Sequence, residues 1–279
     1  MRSRRLVVAS ISVLMFIWLI PSKAEVEVFW LGHGTVRLTS EAGKVIMIDA
    51  FLKKNPATPE KYKDLAALGK VDLILITHGH IDHVDDLVEL ARMNDAKVVA
   101  NYELAYQLAT TGAIKKSHVI DMNKGGTVSP LGRGINIHMV PAEHSSALDL
   151  RVFGSDLSDA ANFDRLRFLE GGVAVGYVIE FENGFKVYAS GDTHVFGDMA
   201  LIREFHAPDL ALLSIGGHFT MGPEDAAYAA RELIKPKQVI PIHYGTYPII
   251  NRTPIEFMNA LGDTSIEVLA LKPGEAVRF

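Results

Sequence analysis

The chain has 279 residues, 48% hydrophobic and 22% charged, a globular composition with enough apolar material for one large domain or two small ones. Its formal net charge is −5 and no basic run follows the opening residues, which excludes an electrostatic footprint for nucleic acid. It has no cysteine, so disulfides, thiolate ligands and thiol nucleophiles are excluded, and any metal site must be built from His, Asp and Glu.

The chain opens with "MRSRR", followed by "LVVASISVLMFIWLI", which carries no charge from Leu6 to Ile20. "PSKAE" comes next, with Ser22 and Ala24 as small residues at the −3 and −1 places of a cleavage site. This is the three-part pattern of a secretory signal, and the run is shorter than the roughly 20 residues of a spanning helix. Residues 1–24 are therefore expected to be a signal peptide, with the mature chain from Glu25 secreted or periplasmic. An uncleaved N-terminal membrane anchor is the alternative. Arg4 and Arg5 hint at a twin-arginine signal, and the absence of cysteine excludes a lipoprotein.

Beyond Glu25 the pattern is read in chain order. "EVEVFWL" and "VRLTS" alternate as strands do, and "KVIMIDA" and "VDLILITH" are nearly continuous apolar runs, as expected for strands covered on both faces. A helix is expected from Asp82 to Met93 and another from Glu103 to Thr110, with short strands at "KVVA" and "SHVID". "INIHMVPA", "AVGYVIEF" and "FKVYASGD" are strands, and Asn183-Gly184 marks a turn between the last two. "DLALLSIG" and "KQVIPIH" are buried strands. "GPEDAAYAARELI" is a helix, with Pro223 near its start and acids in its first turn. Strands alternating with helices in both halves predict two mixed sheets packed together with helices outside. The segment from Asp149 to Gly172 breaks this rhythm, and loops of that length are usually functional or mobile.

The chemistry concentrates in "ITHGHIDHVDD". His78, His80, Asp82 and His83 fall within six positions, although the chain has only eleven histidines. His78 and His80 point to the same side if the strand geometry continues past "LILIT". Asp82 and His83 then open a helix, so one tight turn can aim four ligands into one space. Imidazole and carboxylate suit zinc and similar divalent ions. A polar loop with histidines there by chance is the alternative. Further donors stand just past the ends of other apolar runs: His144, Asp192 and His243.

Asp49, His78-x-His80-x-Asp82-His83, His144, Asp192 and His243 together resemble, in order, the five motifs of the metallo-β-lactamase superfamily. The resemblance covers essentially all of residues 25–279. "WLGHGT", "AEHSS", "GDTHVFGDM", "SIGGHFTMGPEDAA" and "IPIHYGTYP" are similar to a subgroup of metal-dependent hydrolases that itself looks related to ascorbate-6-phosphate lactonases. The resemblance implies an α/β fold, a four-layer αβ/βα sandwich with two divalent metal ions at one edge. It implies His78, His80 and His144 on the first ion, Asp82, His83 and His243 on the second, and Asp192 bridging both. It also implies that Asp49 supports the cluster from behind, where a carboxylate fixes an imidazole tautomer. Zinc is the first expectation, and manganese or iron suits the same donors.

Two such cations about 3.5–4 Å apart lower the pKa of a water between them. The resulting hydroxide would attack a carbonyl or phosphoryl centre, with Asp82 or Asp192 taking the proton. His33 and His218 are expected in the pocket because the subgroup carries His in similar strings. Tyr244 could donate to a substrate oxygen or be a buried structural tyrosine. His194 is expected at the surface, and His118, His138 and His206 are expected to be structural. Ser145 and Ser146 follow a ligand but have no base beside them in sequence, so neither is read as a nucleophile.

The expected activity is hydrolysis of a small ester, lactone or phosphoester. The zinc β-lactamases generally lack a bridging Asp at the position of Asp192, which makes β-lactam hydrolysis the alternative, beside a non-catalytic exported metal-binding protein. The partner is a small-molecule substrate, with no nucleic acid and no membrane in the mature form. In residues 149–172, Phe153, Phe163, Leu166, Phe168 and Leu169 need burial, and Arg151, Arg165 and Arg167 could hold an anion. This stretch is expected to cover the metal pocket, the alternative being a surface excursion that packs on itself.

Overall fold

The computed structural model describes residues 25–153 and 168–279. The expected signal peptide and the centre of the excursion, with Phe163, Arg165, Leu166 and Arg167, lie outside the described residues. The first half supplies β1 (Glu27–Gly32), β2 (Thr35–Thr39), β3 (Val45–Ile48), β4 (Leu73–Leu75), β5 (Lys97–Asn101) and β6 (Val119–Met122). Its helices are α1 (Glu60–Lys63), α2 (Ile81–Val84), α3 (Leu87–Asn94) and α4 (Tyr102–Thr110). The second half supplies β7 (Thr127–Val128), β8 (Asn136–Pro141), β9 (Ala147–Asp149), β10 (Phe168–Glu170), β11 (Val175–Glu180) and β12 (Lys186–Ala189). It continues with β13 (Leu210–Ser214), β14 (Gln238–Ile242), β15 (Glu267–Val268) and β16 (Ala276–Arg278), and with helices α5 (Met199–His206), α6 (Pro223–Tyr228) and α7 (Pro254–Leu261).

One seven-stranded sheet runs β16-β1-β2-β3-β4-β5-β6 and the other runs β15-β14-β13-β12-β11-β8-β7. Side chains alternate across each strand, so one strand feeds two cores. Leu73 and Leu75 of β4 enter the core between the sheets with Leu210 and Leu212 of β13. Ile74 faces outward onto α3 and α4, while Ala211 and Leu213 face outward onto the second helical layer. Covering both faces explains the unbroken apolar runs, and the result is the four-layer αβ/βα sandwich. The Tyr177 hydroxyl crosses from β11 and donates to the Ile76 carbonyl at 2.8 Å, tying the two sheets just behind the histidine cluster.

Four features depart from the sequence pattern. The helix expected from Asp82 to Met93 is broken into α2 and α3 at Asp85 and Asp86. The Asp86 carboxylate accepts from Leu52 N at 2.7 Å and Lys53 N at 2.9 Å, and its own N–H donates to Ala50 O. The chain is thus held to the loop after β3 rather than winding on. The helix from Pro223 widens into π turns over Ala229–Ile234 and stops at left-handed Lys235, just before Pro236. Three helices, α1, α5 and α7, have no counterpart in the sequence pattern. α7 carries a full capping box between Thr253 and Glu256 with Pro254 at its first position; α5 has no side-chain cap at its start. Finally, β16 returns from the C-terminus to pair with β1, Val28 opposite Val277.

Candidate metal centre

β3, β4 and β5 run parallel, as do β12, β13 and β14, so their carboxyl ends line up at one edge of the sandwich. Asp49 follows β3, His78 follows β4, Asp192 follows β12 and His243 follows β14. His33 lies in the β1–β2 turn and His144 after β8. Among the described residues, seven other than glycine have left-handed backbone. Asp95, Ala207 and Lys235 are helix C-caps. The other four are His33, Asp49, His218 and His243, three of them in the cluster. Such conformations are rare for side chains larger than glycine and collect at functional loops. Each one turns the chain sharply enough to aim the side chain along the edge.

The donors form overlapping sets. His78, His80 and His144 make one; His33, Asp82, His83 and His243 make a second; His78, His83 and Asp192 link them, with ligand atoms in each set within 4.8 Å of one another. His78 Nε2 and His80 Nδ1 are 3.0 Å apart, and His144 Nε2 is 3.3 Å from the same His80 nitrogen. His80 therefore presents Nδ1 to the set, while its Nε2 faces Ser145 Oγ at 3.3 Å. Asp192 Oδ2 lies 3.2 Å from His243 Nε2, 3.5 Å from His83 Nε2 and 3.8 Å from His144 Nε2.

Asp49 orients both sets. Its Oδ2 takes His83 Nδ1–H at 2.6 Å, leaving Nε2 to face Asp192. Thr77 donates N–H to Asp49 Oδ1 and Oγ–H to Oδ2, at 2.9 and 2.8 Å. The Thr77 oxygen, its proton committed, accepts His78 Nδ1–H at 3.0 Å, which leaves His78 Nε2 as a lone pair toward His80. Gly34 makes room for this packing: a Cβ there would stand 2.8 Å from His83 Cε1. A Cβ on left-handed Gly191 would meet Thr77 Cβ at 2.9 Å.

The electrostatics are lopsided. Burial, then the neighbouring histidines, pushes His78 down, and burial leads the lowering of His80 and His144 as well. Burial and then His243 bring His33 down to about 4. Burial also opposes charge on His83, but Asp192, Asp49 and Asp82 overcome it and push His83 well above its ordinary value. Burial opposes the negative form of Asp192, yet His243 and His83 hold its carboxyl far below the usual range. Asp82 is likewise lowered against burial by His83, His243 and His33.

The residues fit a cation. His83 Nε2, Asp192 Oδ1 and both His243 ring nitrogens are buried without a hydrogen-bond partner among the described residues, a costly arrangement unless another species satisfies them. Neutral imidazole lone pairs 3.0–3.3 Å apart also match the spacing of neighbouring ligands on one ion with bonds of about 2.0–2.1 Å.

Other expected residues fall differently. His33 is buried and belongs to the second donor set. His218 belongs to none of the sets; its ring is exposed and stands 4.4 Å from Phe219. Tyr244 turns into the core: its ring lies 5.3 Å from Trp30, its hydroxyl points to Leu271 O at 3.5 Å, and burial raises it to about 12. It is the structural tyrosine of the two readings, because the left-handed turn at His243 sends the next side chain back under the sheet. Tyr247 and Thr246, which the sequence reading passed over, stand at the cluster instead. Thr246 Oγ is 3.0 Å from His33 Nδ1, and the exposed Tyr247 ring is 5.9 Å from that of His33. Both lie in the "HYGTYP" string, and Thr77 directly precedes His78, so proximity in sequence was the available signal.

His194 is exposed. His118 pairs with Asp95, and His138 with Glu180, its ring against His206. Ser146 donates to Gly171 O and accepts from Gly79 N, which makes it a brace. Arg151, expected to be available for an anion, is instead held by Asp149 through Nε and Nη2, at 2.9 and 2.6 Å. Leu148 and Val152 are in the core and β9 pairs with β10, so both ends of the excursion are structural.

Residues 44–244 match the family model described as "Beta-lactamase superfamily domain". The chain is 47% identical over 264 residues to the UPF0173 metal-dependent hydrolase of Polaromonas sp. strain JS666, covering 94% of this chain and 93% of the relative. It is 46% identical over 261 residues to UPF0173 metal-dependent hydrolase H16_A2129 of Cupriavidus necator, covering 93% and 88%. Igni18, a metallo hydrolase from the archaeon Ignicoccus hospitalis, superposes with a TM-score of 0.76 at 32% identity, over 91% of this chain and 98% of that one. The protein is thus a metal-dependent hydrolase of the β-lactamase superfamily, and within it the chain belongs to the UPF0173 family.

Proposed function

We propose that the protein is an exported hydrolase that uses two divalent cations, zinc in the first instance, to cleave a small ester, lactone or phosphoester. The observation that carries this reading is Asp192, whose one oxygen lies within 3.8 Å of His144 in one donor set and of His83 and His243 in the other. His78, His80 and His144 would hold one cation, Asp82, His83 and His243 the other, and Asp192 would serve both. Cations bound there would supply Lewis acidity, polarising the scissile group and lowering the pKa of a water beside it. The chain's own groups do the rest. Asp82 is 31% exposed and its Oδ2 lies 3.0 Å from His33 Nε2, so it can hold a nucleophilic water and receive its proton. Asp49 and Thr77 fix the imidazoles. Ser145 and Tyr247, both solvent-facing, can contact the substrate at the rim. Export rests on the pattern of residues 1–24.

The test is a hydrolysis screen on metal-defined protein over lactones, phosphodiesters, phosphomonoesters and β-lactams. Turnover of an ester, lactone or phosphoester that vanishes with chelator is expected. Turnover of β-lactams alone, or none in protein holding two ions, overturns the reading.

A further inference from the structure

His33 has no part in the ligand assignment above, yet it is placed like a ligand. It is 1% exposed, its backbone is left-handed at φ 54°, and its Nε2 lies 3.0 Å from Asp82 Oδ2. Its ring centroid is 3.8 Å from that of His243, and it joins Asp82, His83 and His243 in one set whose ligand atoms lie within 4.8 Å of one another. Its backbone is anchored from three sides: the carbonyl accepts from Trp30 Nε1 at 2.9 Å and from His243 N at 3.0 Å, and the loop is closed by Gly32 and Gly34.

The far side of the ring can hold the tautomer that a cation needs. Thr246 Oγ faces His33 Nδ1 at 3.0 Å and Tyr244 O at 3.4 Å. A carbonyl can only accept, so when the hydroxyl proton is given to Tyr244 O the hydroxyl oxygen accepts His33 Nδ1–H, the arrangement that frees Nε2 for a cation. Nε2 then carries a lone pair aimed at the Asp82 carboxylate. Two acceptors 3.0 Å apart repel unless a cation lies between them, and 3.0 Å is the separation of adjacent donors around one ion.

We infer that His33 is a fourth protein ligand, with Asp82, His83 and His243, to the cation at the β1–β2 turn, which makes the two cations unequal. This rests on the two-cation reading. The cation at the turn has four protein donors besides Asp192, three of them imidazoles no more than 2% exposed. The other has three imidazoles besides Asp192, and two of those, His80 and His144, are half-buried and reach solvent. Closed sites retain their ion, whereas open ones keep a position for exchange. The cation at the turn is therefore the tightly held one, and the solvent-facing cation exchanges and receives the substrate.

Stepwise binding of Zn2+ to metal-free protein, read by competition with a chromophoric chelator, tests this, together with the visible absorption of bound Co2+. The wild type should bind two ions of distinct affinity. His33→Ala should weaken the tighter step by more than about 100-fold and change its Co2+ spectrum, exceeding the 10–100-fold effect of losing a supporting residue. Thr246→Val, which keeps the imidazole but frees its tautomer, should weaken the same step by about 10–100-fold. It decides the matter if His33→Ala does not fold. Two ions bound by His33→Ala with unchanged affinities and spectrum, or an unchanged tighter step in Thr246→Val, overturns the inference. Wild-type protein that takes up fewer than two ions overturns the two-cation reading itself.

Discussion

At the scale of single residues, the site is a competition between protons and cations. His83 is pushed well above its ordinary value by Asp192, Asp49 and Asp82, which outweigh its burial. In the metal-free protein the raised value means that charged His83 stabilises the fold fully below pH 6.5, and that contribution fades as pH rises through the folded value. A cation requires His83 neutral, so binding should release about one proton near neutral pH and weaken as pH falls. Calorimetric titration of Zn2+ in buffers of different ionisation enthalpy measures that proton. A proton count of zero would contradict the arrangement. Asp49→Asn keeps the shape but loses the charge that holds His83 Nδ1–H and Thr77. It should lower metal affinity by about 10–100-fold with little change in the fold. His80→Ala and Asp82→Ala should each abolish hydrolysis while leaving the far-ultraviolet circular dichroism intact, because neither side chain belongs to a core cluster.

At the scale of elements, two tyrosines on neighbouring strands make opposite predictions. The Tyr177 hydroxyl on β11 bonds the Ile76 carbonyl, whereas the Tyr188 hydroxyl on β12 is buried with no partner among the described residues. Tyr177→Phe should lower stability by about 0.5–1.5 kcal/mol and loosen the sheets behind the site. Tyr188→Phe removes an unsatisfied polar atom and should be neutral or stabilising. Denaturant unfolding of the two variants side by side checks the signs. The ends of the excursion after His144 limit how it can be dissected. Asp149, Leu148 and Val152 are buried, so a replacement that starts at Asp149 would damage the core. Replacing residues 154–167 with a short Gly/Ser link should spare metal binding. If the segment governs selectivity, KM for the preferred substrate should rise far more than for a small generic ester; an equal response of the two removes that role.

At the scale of the whole molecule, pH limits follow from the same buried groups. Burial pushes Tyr188 above its ordinary 10.0, and burial with Asp49 pushes Tyr177 up as well. Both phenols bind protons more tightly folded than unfolded, so stability is intact below about pH 10 and falls as pH rises beyond it. Alkaline unfolding should begin there, and Tyr188→Phe should move its onset upward in a thermal-melt series. Metal removal acts globally as well. Ions that bind only the folded edge add stability by mass action, so chelation should lower the melting temperature, and restoring Zn2+ should recover it. Among the described residues no helix is long and apolar enough to cross a membrane.

The sequence by itself determined the sandwich and which residue types could serve as donors. Ligand chemistry leaves few residue types to choose from, and a chain without cysteine leaves fewer. Strands covered on both faces must be apolar throughout, so their ends are legible where polar residues begin, as at His78, Asp192 and His243. Tertiary structure alone decided which side chains meet. His33 and Thr246 are 213 positions apart and touch only because β1 and β14 end at one edge. Tyr244 and Tyr247 have the same chemistry, but a left-handed residue at His243 turns the first into the core and leaves the second at the rim. Asp86 sits in a helical pattern, yet its carboxylate is worth more to the N–H groups of Leu52 and Lys53 than one more turn of helix. Local preference could read none of these three, because each depends on a backbone group or dihedral angle fixed by a distant part of the fold.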